Sequence, residues 1–410
     1  DAEIAAQRDF CIITGGPGTG KTTTICKILA VLRELADEPL LIALAAPTGK
    51  AAMRLQEAIA LNLVELNCPD SIKEHIPHTA NTLHRLLGAK PPSPYFRHDA
   101  KNPLVFDLVV VDEASMVDLA LMSKLVDALK PGAKLILLGD KDQLASVESG
   151  AVLADLIAAL PDNTVELRQS YRFDDGIKRL ADTVNQQHHE MAWGILSEVS
   201  ETANTLERKQ LIPYMLSQRE EYVSLVEANA EFADIYRAFG HFQVLCSNRH
   251  GESGALDINI VVEKALFGQH LKYGAVSWYP GRPVMVLQNN PALHLYNGDM
   301  GICLPDKDQN GNLMVFFQRP DGAVKKYLPA RLPTCETVFA MTIHKSQGSE
   351  FDEVLIALPE TINPVLSKEL LYTAITRAKK KINIVAEESV FAATINRKMG
   401  RVTGLANKFE

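Results

Sequence analysis

Unbroken apolar runs recur through the first third of the chain, each followed by a longer stretch whose apolar positions fall three and four apart. Phe10 to Thr14 precedes Lys21 to Leu35, and Leu40 to Ala45 precedes Gly49 to Leu63. Asp107 to Val111 leads into Leu119 to Leu129, and Lys134 to Leu138 into Ala151 to Ala159. A strand that is apolar on both faces has to be covered on both, and a helix returning across the sheet is the connection that does this. The repetition therefore predicts an α/β domain built on a parallel sheet over residues 1–170. Within it, Pro91, Pro92, Pro94 and Pro103 exclude a long helix between Gly88 and Phe106 and predict a surface excursion, a small hairpin being one form.

From Ile177 to Phe239 the pattern is mostly helical and polar. Buried-strand runs return at Phe242 to Cys246, Val354 to Leu358 and Ile382 to Ala386, which predicts a second α/β domain over 171–280 and 333–410. The intervening 281–332 carries β-type runs at Pro283 to Leu287, Met300 to Leu304, Leu313 to Gln318 and Lys325 to Leu328. The pairs Asn297-Gly298, Asn310-Gly311 and Asp321-Gly322 separate them, so hairpins and a small inserted β-barrel are expected. No internal sequence repeat is evident.

Composition narrows the field. A chain of 410 residues is too long for a small binding module, and 47% hydrophobic with 22% charged residues excludes a disordered or collagenous chain. No apolar run approaches the roughly 18 to 20 residues that cross a bilayer, and no signal peptide opens the chain, so no membrane association is expected. Six scattered cysteines read as reduced thiols of a cytoplasmic protein. The chain opens on Asp1 shortly before a phosphate loop, so a missing upstream segment is expected. The net charge of −8 speaks against a polyanionic partner. Its distribution weakens that objection: Ile195 to Ala265 holds 11 acidic against 6 basic residues, whereas Gly281 to Glu350 holds 7 basic against 6 acidic.

The strongest chemical signal is Gly15-Gly16-Pro17-Gly18-Thr19-Gly20-Lys21-Thr22, followed by Thr23, lying after a predicted strand and opening a predicted helix. Glycines let backbone N–H groups wrap a phosphate chain, Lys21 reaches the terminal phosphates, and the Thr22 hydroxyl suits Mg²⁺. Asp112 and Glu113 end the next buried strand but one, where ligands of parallel sheets bind; Asp112 suits the metal and Glu113 the attacking water. Gln143, in Gly139 to Gln143, ends a further strand and is a candidate sensor of the γ-phosphate. Arg172 in Ser170 to Phe173 and Arg377 in Tyr372 to Ala378 are candidates for stabilising the transferring phosphoryl group, with surface or salt-bridging arginines as the competing reading.

Taken in order, the segments resemble the motifs of superfamily-one helicases, and within them the RecD family, the alpha subunits of exodeoxyribonuclease V (RecBCD). The likeness is carried by Gly15 to Thr22, Ala46 to Ala52, Thr82 to Gly88, Val111 to Met116, Leu138 to Leu144, Leu167 to Phe173, Ala340 to Phe351 and Glu369 to Ala378. The resemblance implies a P-loop NTPase fold of two RecA-like domains with an SH3-like β-barrel insert, and ATP held with Mg²⁺ between those domains. It implies that Gly348 and Glu350 join the nucleotide site, Glu350 at the ribose, and that Arg172 and Arg377 reach it from the second domain. Thr48, Lys50, Thr82, His84, Thr342, His344 and Lys345 would contact single-stranded DNA; for both histidines a packed core residue is the competing reading. The implied activity is 5′ to 3′ translocation and unwinding in double-strand break repair and recombination, beside RecB-like and RecC-like subunits, with the nuclease on a partner subunit. The excursion at 88–106 takes the place of a strand-separating pin. An ATPase that translocates without unwinding shares every motif, and a catalytically dead scaffold is disfavoured by the intact Lys21, Asp112, Glu113, Arg172 and Arg377. A nuclease reading rests only on Pro161-Asp162 with Glu166-Leu167-Arg168, which a turn before a strand also explains.

Overall fold

The computed structural model describes residues 5, 7–90, 93–145, 151–168, 175–198, 200–268, 278–290, 292–319, 322–398 and 405. The chain divides into two compact units, Asp1–Arg172 with Gly400–Glu410, and Phe173–Met399.

The first unit holds six strands: β1 (Phe10–Gly15), β2 (Ile42–Ala46), β3 (Ala80–Thr82), β4 (Leu108–Val111), β5 (Lys134–Gly139) and β6 (Thr164–Leu167). They form one parallel sheet in the order β3-β2-β4-β5-β1-β6. Every residue of β2 and β4 is buried, as a sheet covered on both faces requires. Helices Lys21–Leu35 and Gly49–Glu65 pack on one face with Ile25, Leu29, Leu55 and Ile59, while Leu121, Met122 and Leu125 of Leu119–Asp127 cover the other. Strand β6 closes on the phosphate loop so tightly that a Cβ at Gly15 would lie 2.7 Å from the Leu167 carbonyl oxygen, which excludes any larger residue there.

The excursion is a compact loop folded back on the domain. Ala89 bridges Phe96 and Asp99 bridges Asn102, both antiparallel. The amides of Arg97 and His98 donate to the carbonyl of Leu87, and the Phe96 ring lies 5.7 Å from His84 and 5.2 Å from the Lys124 ammonium. Pro91 and Pro92 lie outside the described residues.

In the second unit β7 (Ala203–Leu206), β8 (Phe242–Cys246), β14 (Ala340–Thr342), β15 (Phe351–Ala357) and β16 (Ala378–Val385) make a parallel sheet in the order β14-β8-β15-β16-β7. Strand β7 corrects the helical expectation for 177–239: Ala-Asn-Thr-Leu is too short and polar to stand out, and only its parallel pairing with β16 defines it. The same stretch hides a fully buried cation. Arg219 donates to the carbonyls of Phe239 at 2.6 Å and Phe242 at 2.7 Å and stacks on both rings, so it ties helix Phe232–His241 to the start of β8. Burial pulls its pKa down to about 9.

The inserted region is a five-stranded antiparallel sheet, β12 (Val324–Tyr327), β11 (Leu313–Gln318), β10 (Met300–Pro305), β9 (Arg282–Val286) and β13 (Cys335–Thr337), in that order. The Asn310-Gly311 pair adopts the positive φ its residue types favour, yet it ends a longer loop and not a two-residue hairpin. Asp306 closes that loop, accepting from the Asp308 and Gly311 amides and donating its own N–H to the Asn312 carbonyl. Asp321 lies outside the described residues.

Candidate active site and nucleic-acid track

The phosphate loop is held open by backbone geometry. Gly18 and Gly20 adopt φ of 77° and 79°, a region that costs residues with a Cβ, and Gly20 stands where a capping side chain would precede helix Lys21–Leu35. That helix has no side-chain cap and no acid in its first turn, so its first N–H groups and dipole face outward toward an anion. Thr19 Oγ1 donates to the Gly16 carbonyl at 2.8 Å, and Lys21 Nζ donates to those of Gly15 at 2.6 Å and Gly16 at 3.1 Å. Phosphate oxygens offer the ammonium the same kind of acceptor with full negative charge. Thr22 is half-buried and Thr23 exposed on that first turn, while Pro17 is buried beneath the loop.

Asp112 and Glu113 follow β4. The Asp112 amide extends the ladder to the Ala45 carbonyl, and its Oδ1 accepts from the Glu113 amide at 2.9 Å. Glu113 has φ 51°, a left-handed conformation unusual for a residue with a Cβ and typical of strain kept at a working site. Desolvation, then repulsion from Glu113, pushes Asp112 up to about 6, against the pull of Lys21 and the Glu113 amide. An Asp raised in this way binds a proton in the folded chain that the unfolded chain has lost, so stability falls as pH rises from about 4 through about 6. Asp112→Asn should therefore be the more stable protein at neutral pH. Its advantage should grow by about 1 kcal/mol between pH 5 and pH 7.5. Parallel thermal melts at the two pH values check this, and a constant difference would remove Asp112 as the source.

Gln143 is buried and positioned by a neighbour the sequence had not singled out. Asp140, 3% exposed, accepts from Gln143 Nε2 at 3.2 Å and from the Asp142 amide at 3.0 Å, and its carbonyl takes the Gln143 amide. Its only signal was a Gly-Asp pair after a strand. Glu166 of the alternative nuclease pattern pairs with Lys141 at 2.5 Å and Arg168 at 3.1 Å, which lowers its pKa; the described residues contain no metal-binding cluster of three His, Cys, Asp or Glu.

Of the nucleic-acid candidates, Thr48 and Thr82 are helix caps. Thr48 accepts from the Ala51 amide and Thr82 from the Arg85 amide, each at 3.2 Å, at the C-terminal ends of adjacent strands β2 and β3. Lys50 sits in the first turn beyond Thr48. Thr342 ends β14, the edge strand of the second sheet. The two edge strands correspond: Thr82-Leu83-His84-Arg85 and Thr342-Ile343-His344-Lys345 share residue types and fully buried aliphatics, and the threonines share a backbone conformation, with Thr82 at φ −71°, ψ 150° and Thr342 at −72°, 150°; the first runs into an α-helix capped by Thr82 and the second into a 3-10 helix without a side-chain cap. These four-residue segments are a short internal repeat legible in the sequence, which corrects the expectation of none. Neither histidine is a core residue; His84 is exposed and His344 half-buried.

In the second unit Gly348 has φ 69° and Glu350 lies 3.7 Å from Lys379. Arg377, 3% exposed, donates Nε to the Thr373 carbonyl at 3.1 Å and Nη1 to that of Ser349 at 3.2 Å, so it ties the loop bearing Gly348 and Glu350 to helix Lys368–Ile375. Arg172 lies outside the described residues.

Comparison with known proteins gives this geometry a context. Residues 2–149 match an AAA domain and 337–385 a UvrD-like helicase C-terminal domain. Over its whole length the chain is 41% identical to the RecBCD enzyme subunit RecD of Mycobacterium tuberculosis, of which it spans 72%. The chain belongs to the RecD family. This RecD-family chain is also 33% identical, over 99% of its length, to the ATP-dependent RecD2 DNA helicase of Deinococcus radiodurans, spanning 51% of that protein. Its fold is similar to that of a Bacteroides Pif1 helicase crystallised with ADP-AlF3 and single-stranded DNA, with a TM-score of 0.52, 18% identity, and coverage of 98% of this chain and 93% of that one. The parallel α/β units, the P-loop NTPase fold and the RecD family expected from the motifs are thus borne out.

Proposed function

We infer that the chain is an ATP-hydrolysing DNA helicase, the motor subunit of a RecBCD-type complex. The observation that carries this is the uncapped, glycine-shaped phosphate loop facing the strained Asp112-Glu113 pair, in a chain related over its whole length to RecD proteins. In this reading Gly15 to Thr23 hold ATP, Lys21 offsets the phosphate charge, Glu113 takes the proton of the attacking water, and Gln143 orients that water. Mg²⁺ fits the donors: Thr22 and Asp112 offer only oxygen, and a divalent cation offsets the desolvation and repulsion that raise Asp112. When bound it neutralises charge on the phosphates.

Thr48, Lys50, Thr82, His84, Thr342, His344 and Lys345 are proposed to hold single-stranded DNA through hydroxyls and a few cations, contacts that grip phosphates without reading sequence. The proposed domains are 1–170, then 171–280 with 333–410, and an SH3-like insert at 281–332; the compact units differ in grouping 400–410 with the first, and the insert's sheet runs on into β13. RecB-like and RecC-like subunits are the proposed partners and the bacterial cytoplasm the proposed location; among the described residues no helix is long and apolar enough to cross a membrane. Translocation without unwinding is the second reading, favoured by the way the excursion lies packed against His84 and Lys124, which leaves little to act as a pin.

Duplexes with a single-stranded 5′ or 3′ tail separate these readings. ATP should open the 5′-tailed duplex and leave the 3′-tailed one closed. Opening only the 3′-tailed duplex would reverse the polarity, and DNA-stimulated hydrolysis without opening either would establish the second reading.

A further inference from the structure

Strands β8 and β14 are neighbours, with Thr342 level with Cys246, as Thr82 is level with Ala46 on β3 and β2. In the first unit, the residues after the inner strand of that pair include Thr48 and Lys50. In the second, the residues after β8 are Ser247-Asn248-Arg249-His250. Counted from Ala46 and Cys246, Lys50 corresponds to His250, and Arg249 lies one residue before it, among the residues that leave the same end of the strand pair.

Arg249 is half-exposed, and its Nη2 lies 3.3 Å from Glu336 Oε2. The other oxygen of the same carboxylate takes the Lys345 ammonium. One carboxylate thus faces two cations at the ends of β8 and β14. Glu336 itself belongs to β13, the last strand of the antiparallel sheet, four residues before β14 begins. A backbone phosphate offers two such oxygens and the same charge, and a guanidinium can take both of them through parallel N–H donors.

We propose that Arg249 is a further contact for the phosphates of single-stranded DNA, and that Glu336 competes with those phosphates for Arg249 and Lys345. The proposal rests on the DNA-binding role assigned to Lys345 above. Glu336 keeps both cations placed between contacts and lowers the cost of letting the strand go, which a motor requires at every step.

Anisotropy of a labelled oligodeoxythymidylate, titrated with the full chain across a salt series, tests this. Glu336→Gln should tighten binding at low salt by about threefold or more, since a competitor's charge is gone. Arg249→Ala should weaken binding and reduce the slope of log affinity on log salt by about 0.7, the value for one phosphate contact on a single strand. Arg249→Lys should keep the slope, and Glu336→Gln should have no effect when Arg249 and Lys345 are both alanine. Binding unchanged or weaker in Glu336→Gln, with a parental melting temperature, would overturn the competition and leave Glu336 as a brace. A parental salt slope in Arg249→Ala would overturn the contact. Failure of the parent chain itself to bind the oligonucleotide would refute the DNA reading and this proposal together, whereas a binding parent with unaffected variants refutes this proposal alone.

Discussion

Glu113→Gln should keep nucleotide and single-stranded DNA binding within about twofold of the parent while losing about 10² to 10⁴ in turnover, the range for removal of a general base. The substitution retains the size and shape of the side chain, and the left-handed backbone at residue 113 is set by the strand and turn around it. What disappears is the capacity to accept the proton of the attacking water. A second consequence distinguishes this role from general damage. Repulsion from Glu113 is the second largest cause of the raised Asp112 pKa, so neutralising Glu113 should move the Asp112 titration down and flatten the pH dependence of stability between about 5 and 7.5. Phosphate release under single-turnover conditions measures the first effect and thermal melts the second. Turnover at the parental rate with normal nucleotide binding would show that another group activates the water.

Much of this architecture was legible in the chain because its signals are local. The helix Lys21–Leu35 has the bounds its periodicity predicts, since an apolar stripe, a glycine loop and a following break all agree. The strands bearing Asp112 and Gln143 announce themselves as unbroken buried runs. What stayed hidden depends on partners distant in sequence. Strand β7 exists through its pairing with β16, and Arg219 reads as an ordinary polar residue until its guanidinium is found on the carbonyls of Phe239 and Phe242. The capping roles of Thr48 and Thr82 were open to sequence reasoning, because a threonine just before a helix is the usual cap. Lys345 shows the opposite limit: its motif announces a DNA contact, yet nothing near it in sequence announces that Glu336 holds it.

Arg377→Ala is expected to combine two losses that can be measured apart. A guanidinium carries five N–H donors, and here two of them bind the carbonyls of Thr373 and Ser349. Truncation removes both hydrogen bonds, although the Thr376 hydroxyl still donates to the Thr373 carbonyl, so a net loss of about 1 to 3 kcal/mol is expected and the melting temperature should fall. It also removes the charge proposed to stabilise the transferring phosphoryl group, which should lower turnover by about 10³ or more. Nucleotide affinity should change far less than turnover, because a charge developing in the transition state is absent from the ground state. Arg377→Lys separates the two functions. Lysine keeps a cation but, as a compact ammonium, cannot span both carbonyls and a phosphate oxygen in one plane. It should recover part of the stability and little of the turnover. Should Arg377→Ala melt early yet hydrolyse ATP at the parental rate while folded, Arg377 would be a brace between the Ser349 loop and helix Lys368–Ile375. The catalytic charge would then have to come from elsewhere, with Arg172 the next residue to replace.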